Sequence, residues 1–195
     1  MTFTHCITIF LCTCSLLLTG CTNSVTPEPA LVLPPPTAVG ANTLGFQVDG
    51  RVWTTYGQKC VLSGPCRNNT LRAIVGRRLG GLHTLLVTTQ LITEQYTESF
   101  LLQLDSVKGP GIYRCSPQFT GLISPIPTGF ALQDNKTTEA THRLSLRTAT
   151  ACRIVLTQVD IVRHIIACTF KGQLRQIWTP YATNQLTQGR FDIHY

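Results

Sequence analysis

The sequence has few charged residues, and acidic residues are the scarcest of them. Nine Asp and Glu residues stand against sixteen Lys and Arg residues, charged residues make up 13% of the chain, and the formal net charge is +7. With 43% hydrophobic residues, this composition is typical of a folded chain and argues against disorder. The positive balance favours anionic partners such as envelope lipids or glycans. Because only Arg77 and Arg78 are adjacent cations, a solvated surface is nevertheless the simpler interpretation of the charge.

Local catalytic motifs are also missing. The chain contains no GxSxG, HExxH or S-x-x-K motif and no Gly-rich phosphate loop. Glu94 and Glu98 would share a face only on a helix, so no glycosidase-type carboxylate pair is predicted, although carboxylates can still converge in space. Three histidines, His83, His142 and His164, have no partner at zinc-ligand spacing. The sequence therefore predicts a protein that is not an enzyme and that binds no metal or cofactor.

No apolar run is long enough to span a membrane, but one is long enough to enter it. Residues 7–18 are apolar, and Leu18, Thr19, Gly20 and Cys21 form a lipobox directly after them. This pattern predicts a signal peptide over residues 1–20 whose cleavage leaves a lipidated Cys21 as the new N-terminus. The first six residues lack the Lys or Arg with which a signal peptide normally begins. Since Thr22, and not Asp, follows the lipid site, we expect the outer membrane.

Residues 21–42 are rich in proline and small residues. Pro27 and Pro29 are followed by the consecutive Pro34, Pro35 and Pro36, which favour polyproline II and exclude a helix. We therefore expect an extended tether between the lipid and a single domain over residues 43–195.

The domain shows the alternation of β-strands. Phe46 and Val48 alternate with polar residues, and Asp49 and Gly50 supply a type I′ turn before a returning strand. Further strands are predicted at residues 71–78, 82–91, 98–107, 142–147, 152–159, 164–175 and 191–195. A short helix over residues 88–98 is an alternative that β-branched residues disfavour. The pattern predicts an all-β domain, an antiparallel sandwich or barrel of about eight to ten strands.

Both ends of this domain resemble a known family. Residues 43–53 (TLGFQVDGRVW) and residues 186–193 (LTQGRFDI) are similar to the V-[DN]-G-x-x-W start and T-x-G-x-F-D-[IV] end of small Bacteroidota lipoproteins of unknown function. Residues 165–170 (IIACTF) also resemble the G-T-F strand that precedes that end, whereas residues 60–140 have no counterpart. The resemblance implies a β-rich envelope lipoprotein and brings no catalytic residues with it.

Five cysteines remain in the mature chain once the leader and Cys21 are set aside. In an oxidising envelope we expect two disulfides and one free thiol. Cys60 and Cys66 bracket a turn, and Cys152 and Cys168 are expected on inward faces of neighbouring strands, which leaves Cys115 unpaired.

We expect Trp53 and Trp178 to be core residues in preference to a sugar-stacking platform. The charges of Arg51, Asp49 and Asp192 are expected to face solvent.

Together these features predict a membrane-anchored envelope lipoprotein that acts as a binding or structural module. Its partners would be the membrane, through the lipid on Cys21, and anionic envelope glycans or lipids, whereas nucleic acid is not expected outside the cytoplasm. Two alternatives remain open at this point: a lipocalin-like carrier of an apolar small molecule, which needs an apolar cavity, and a hydrolase with dispersed catalytic residues.

Overall fold

The computed structural model describes residues 30–60, 64–77, 83–94, 96–115, 128–138, 141–176 and 182–195. For residues 77, 135–138 and 141–146 it describes the backbone only. Ten strands account for the regular structure of these ranges: β1 (Thr43–Val48), β2 (Arg51–Thr54), β3 (Arg72–Arg77), β4 (His83–Ile92), β5 (Tyr96–Val107), β6 (Gly111–Arg114), β7 (Gly129–Thr138), β8 (Thr141–Asp160), β9 (Ile165–Gln176) and β10 (Thr183–His194). Within the described ranges there is no helix with the length and hydropathy needed to cross a membrane.

The strands form one antiparallel sheet that curls into a half-barrel. Its order is β2-β1-β10-β9-β8-β7-β5-β4-β3, and β6 pairs with the part of β8 that lies beyond β7. The two ends of the sheet meet where Tyr56 forms a parallel bridge with Leu91 and where the Asn69 side chain donates to the Asn42 carbonyl. The prediction of an antiparallel all-β domain is confirmed, and of the two architectures left open the sheet follows the barrel.

The first hairpin has the predicted turn. Val48 pairs with Arg51, and the two residues between them have positive φ angles, 49° at Asp49 and 84° at Gly50. Positive φ at both central positions defines a type I′ turn, whose twist matches that of the flanking strands. The turn is further held because the Asp49 carboxylate accepts hydrogen bonds from Asn184 and from the Gln185 N–H.

Aromatic side chains fill the interior of the half-barrel. Phe46 stacks on Trp53 with ring centroids 4.6 Å apart, so the prediction that Trp53 packs inward is confirmed. Phe100 and Phe170 stack at 5.6 Å, and Phe130 lies within 6.0 Å of Phe100. All five side chains are buried, which leaves the described interior packed. Trp178 lies outside the described residues.

Several predicted elements need correction. The alternative helix over residues 88–98 is wrong, because that stretch contains the end of β4, a turn and the start of β5. The two strands predicted at residues 142–147 and 152–159 belong to one strand of 20 residues, β8. Strands β6 and β7 were not predicted.

Part of the expected tether belongs to the folded domain. Residues 33–41, hereafter the strap, lie against β1 and β10, where the Pro34 carbonyl accepts a hydrogen bond from Arg190 at 2.5 Å. The Asp192 carboxylate accepts four hydrogen bonds of 2.7–3.1 Å from strap donors, namely the hydroxyl of Thr37 and the N–H groups of Val39, Gly40 and Ala41. The expectation that Asp192 faces solvent is wrong, since the strap covers it and leaves 1% exposed.

Candidate functional site

The Cys60–Cys66 disulfide closes a small hairpin loop. The structure joins these two cysteines as expected, with their Cα atoms 4.1 Å apart. Outside the disulfide, Lys59 and Arg67 exchange two backbone hydrogen bonds of 2.9 Å. The covalent and hydrogen-bonded closures together place the Lys59 and Arg67 side chains opposite each other at the base of the loop.

The second predicted disulfide is wrong. Cys152 is bonded to Cys115, and Cys168 is the free, buried thiol. The sheet register explains the difference: Cys152 lies opposite Gly172 and Cys168 opposite Leu156, so the two cysteines are four positions apart along the strands, about 13 Å. A disulfide cannot span that distance. Burial raises the pKa of the Cys168 thiol well above its usual value and makes the thiol a poor nucleophile.

A cleft of about 620 Å³ lies between this disulfide loop and the sheet. Its floor is formed by residues of β4, β5 and β7 and contains both polar and apolar groups. The half-buried Thr88, Gln90, Ser99 and Gln133 offer hydroxyl and amide groups, whereas Phe100, Leu101 and Ala131 are apolar. Gln90 donates to the Ser99 hydroxyl at 3.1 Å, so these two side chains orient each other.

Three cations surround the cleft. Lys59 and Arg67 come from the disulfide loop and Arg72 from β3, and all three are exposed. None of the described residues lining the cleft is acidic, and none of the three cations forms an ion pair with a described carboxylate. The cleft therefore combines positive potential at its rim with hydrogen-bonding groups at its floor.

Carboxylates and arginines converge at a separate place in the sheet. This ion cluster consists of Asp49, Arg51, Glu98, Asp134 and Arg147. Glu98 is 2% exposed and accepts two hydrogen bonds from Arg51, at 2.8 and 2.9 Å. Arg147 pairs with Asp134, and its second terminal nitrogen donates to Asn184, which in turn donates to Asp49. Partial burial lowers the pKa of Arg147, and the nearby Glu98 partly offsets that effect.

Glu98 and Asp134 form the carboxylate pair that sequence spacing did not predict. They are directly opposite each other in the β5–β7 register, on the buried face of the sheet. Each is bonded to its own arginine, and neither lines the cleft beside the disulfide loop. Glu94, the other member of the helical pair considered above, is exposed and lies in the β4–β5 turn.

The remaining predicted sites divide into two groups. Cys21 and His142 lie where side chains are not described. His83 and His164 are described, and no three His, Cys, Asp or Glu residues gather in a metal-binding arrangement within the described ranges. Arg51 and Asp49 are exposed, as expected. Both nevertheless have partners within the ion cluster, since Arg51 pairs with Glu98 and Asp49 accepts a hydrogen bond from Asn184.

In comparisons with known proteins, no family model, curated protein or solved structure matches this chain.

Proposed function

We propose that the protein is a lipid-anchored envelope module that binds an acidic, hydroxyl-rich ligand, such as an anionic glycan, in the cleft between the disulfide loop and β4, β5 and β7. The lipobox ending at Cys21 supports the anchor, and Thr22 after it favours the outer membrane. The resemblance of both chain ends to Bacteroidota lipoproteins agrees with that location.

The observation that carries the proposal is the presence of three cations beside the hydroxyl and amide groups of the cleft floor. Lys59, Arg67 and Arg72 would contact carboxylate or sulfate groups, and the two arginines can do so with two parallel hydrogen bonds each. Thr88, Gln90 and Gln133 would exchange hydrogen bonds with sugar hydroxyls. A volume of about 620 Å³ accommodates a ligand of a few sugar rings.

The two alternatives have less support. A lipocalin-like carrier needs an apolar interior cavity, whereas Phe46, Trp53 and Phe100 fill the described interior. A hydrolase would need accessible carboxylates, whereas Glu98 and Asp134 are buried in ion pairs away from the cleft.

Binding can be measured directly by titrating the protein with polygalacturonate, using neutral dextran as the uncharged probe. We expect affinity for polygalacturonate that weakens with added salt, and none for dextran. Arg67→Gln and Arg72→Gln should each weaken binding by at least about tenfold, because each removes a charge-assisted hydrogen bond. Arg153→Gln with Lys171→Gln is the matched control, since these exposed cations lie on β8 and β9. Equal loss in the control would show that net charge alone attracts the polymer and would refute the cleft as the site.

The anchor has its own test. Metabolic labelling with a fatty-acid analogue should mark the wild-type protein, and Cys21→Ser should abolish the label and release the protein from membranes. A label that persists in the variant would refute lipidation at this position.

A further inference from the structure

Three cations far apart in sequence lie in one row on the outer surface of the sheet. Arg114 of β6 is directly opposite Arg153 of β8, and Arg153 is directly opposite Lys171 of β9. All three are exposed, and neighbouring members have Cβ atoms about 5 Å apart. Arg175 follows on the same face of β9, since outward residues alternate along that strand. No described carboxylate pairs with any of them.

Like charges directly opposite each other destabilise a sheet, so this row is not explained by folding. A disulfide even joins two of the strands that carry this row. β6 has only four residues and one described neighbour, and the Cys115–Cys152 disulfide fastens it to β8 immediately beside Arg114 and Arg153. The disulfide thus maintains a register that charge repulsion opposes.

Exposed aliphatic residues lie on the same outer surface and at the tip of the β8–β9 hairpin. Ile112 is 56% exposed and lies opposite Val155, two positions from the row along the strands and on the same face. At the hairpin tip Ile161 and Val162 are 66% and 84% exposed. This tip is rigid, because the Asp160 carboxylate accepts bonds from two backbone N–H groups and from Arg163. A turn normally carries polar residues, so two aliphatic side chains at an ordered tip are unusual.

We propose that the outer face of β6, β8 and β9, together with the β8–β9 tip, docks on the surface of an anionic lipid bilayer. The row of Arg114, Arg153 and Lys171 would contact lipid phosphates, and Ile161 and Val162 would enter the boundary between headgroups and acyl chains. This site is separate from the glycan cleft, and the choice of its occupant rests in part on the lipid anchor of the proposed function.

The strap favours a lipid surface as the occupant over a soluble polymer. A cleft of about 300 Å³ lies between the strap and this face, lined by Pro36, Arg153, Lys171 and Arg190. The strap, which leads back along the sequence toward Cys21, therefore lies beside the surface that carries the cations. Since only a short segment separates Cys21 from the strap, an anchored domain keeps this face near the bilayer.

The test uses vesicle flotation of the chain from residue 22 to 195, which lacks the lipid and retains every described residue. We expect partition onto phosphatidylcholine vesicles that contain phosphatidylglycerol, and little onto phosphatidylcholine alone. Arg114→Gln, Arg153→Gln and Lys171→Gln combined should lower the partition coefficient about a hundredfold, at about fivefold for each cation. Val162→Asn should lower it several-fold without any change of charge. The triple variant should melt no lower than wild type, because it relieves repulsion within the row.

The matched control is Lys59→Gln, Arg67→Gln and Arg72→Gln, which removes the same charge from the glycan cleft. We expect its vesicle partition to stay within a few-fold of wild type and its polygalacturonate binding to be lost. Equal partition loss in both triple variants, or no loss in the first, would overturn the bilayer proposal. It would also be overturned if the first triple variant lost polygalacturonate binding and kept vesicle binding. Failure of polygalacturonate binding alone refutes the glycan cleft and leaves the bilayer proposal intact.

Discussion

The strap and the ion cluster bury carboxylates in two different ways. Asp192 is bonded only by neutral donors, one hydroxyl and three backbone N–H groups of the strap. Glu98 and Asp134 are bonded by arginines. In the first case the charge fixes the path of a chain segment that has no strand partner. In the second case the charges neutralise one another within the sheet. A buried carboxylate can thus organise either backbone or side chains. Removing it should therefore affect a chain segment in the first case and the balance of charge in the second.

The largest effect is expected in the ion cluster. Arg147→Met should lower the free energy of unfolding by about 3 kcal/mol or more, because it leaves the Asp134 charge buried without a counter-ion. Adding Asp134→Leu should restore most of that loss, since the pair is then replaced by apolar side chains. Urea denaturation of both variants measures the two values. If the double variant is no more stable than the single one, the arginine contributes through packing and not through charge.

A smaller global effect and a larger local one are expected at the strap. Asp192→Ala should lower the free energy of unfolding by about 2 kcal/mol, because the strap donors can turn to water when their acceptor is lost. The strap itself should become sensitive to protease, whereas Asp192→Asn, which keeps one acceptor oxygen, should lie between Ala and wild type. A strap that stays protected in Asp192→Ala would show that Leu33 and Pro34 packing near Gly45 is sufficient to hold it.

Acid should weaken the contribution of Asp192 to the stability of the domain. Burial alone would raise the pKa of Asp192, but the four strap donors outweigh it and hold the pKa below its usual value. The native state therefore binds fewer protons than the unfolded chain, whose aspartates titrate near pH 4. The stability from Asp192 is complete above about pH 5 and is lost as the pH falls through its folded pKa. The stability difference between wild type and Asp192→Asn should accordingly narrow below about pH 4, and a constant difference would contradict this linkage.

The smallest effect is expected at the turn of the first hairpin, which contains Asp49 and precedes Arg51, two members of the ion cluster. Gly50→Val should destabilise the domain by about 1 kcal/mol, because Gly50 has a φ of 84° and no atom lies close enough to clash with an added Cβ. Gly50→Asn is the matched control, since Asn tolerates positive φ. Equal melting temperatures for Val and Asn would show that the turn conformation is not what matters.

Features encoded within a few neighbouring residues could be predicted from the sequence. The type I′ turn depends on Asp49 and Gly50 alone, and the first disulfide joins two cysteines with a sequence separation of 6. Strand alternation likewise gave the all-β class. Strand β7 could not be predicted from the sequence because the charged residue Asp134 occupies an inward position and interrupts the apolar alternation. The sequence interpretation divided strand β8 at residues 148–151, where its pairing with β9 shifts register between Ala149 and Ala151.

Features that depend on the register of distant strands could not be predicted. The Glu98–Asp134 pair, the Cys115–Cys152 disulfide and the cation row each join residues from different strands. The spacing of residues along the chain does not indicate which residues of different strands come into contact. The three cations of the cleft beside the disulfide loop also come from two separate elements, so their dispersal in the sequence suggested a solvated surface.

The buried Cys168 constrains the order in which the sheet assembles and the disulfides form when the chain folds under oxidising conditions. Its thiol competes with the four cysteines of the two disulfides until β9 has paired with β8 and β10, after which Leu156 and Phe191 lie opposite it and oxidants no longer reach it. Sheet assembly must therefore precede oxidation of the second disulfide, or mispaired species accumulate. A Cys168→Ala chain would remove that competition and should give a higher yield of correctly oxidised protein.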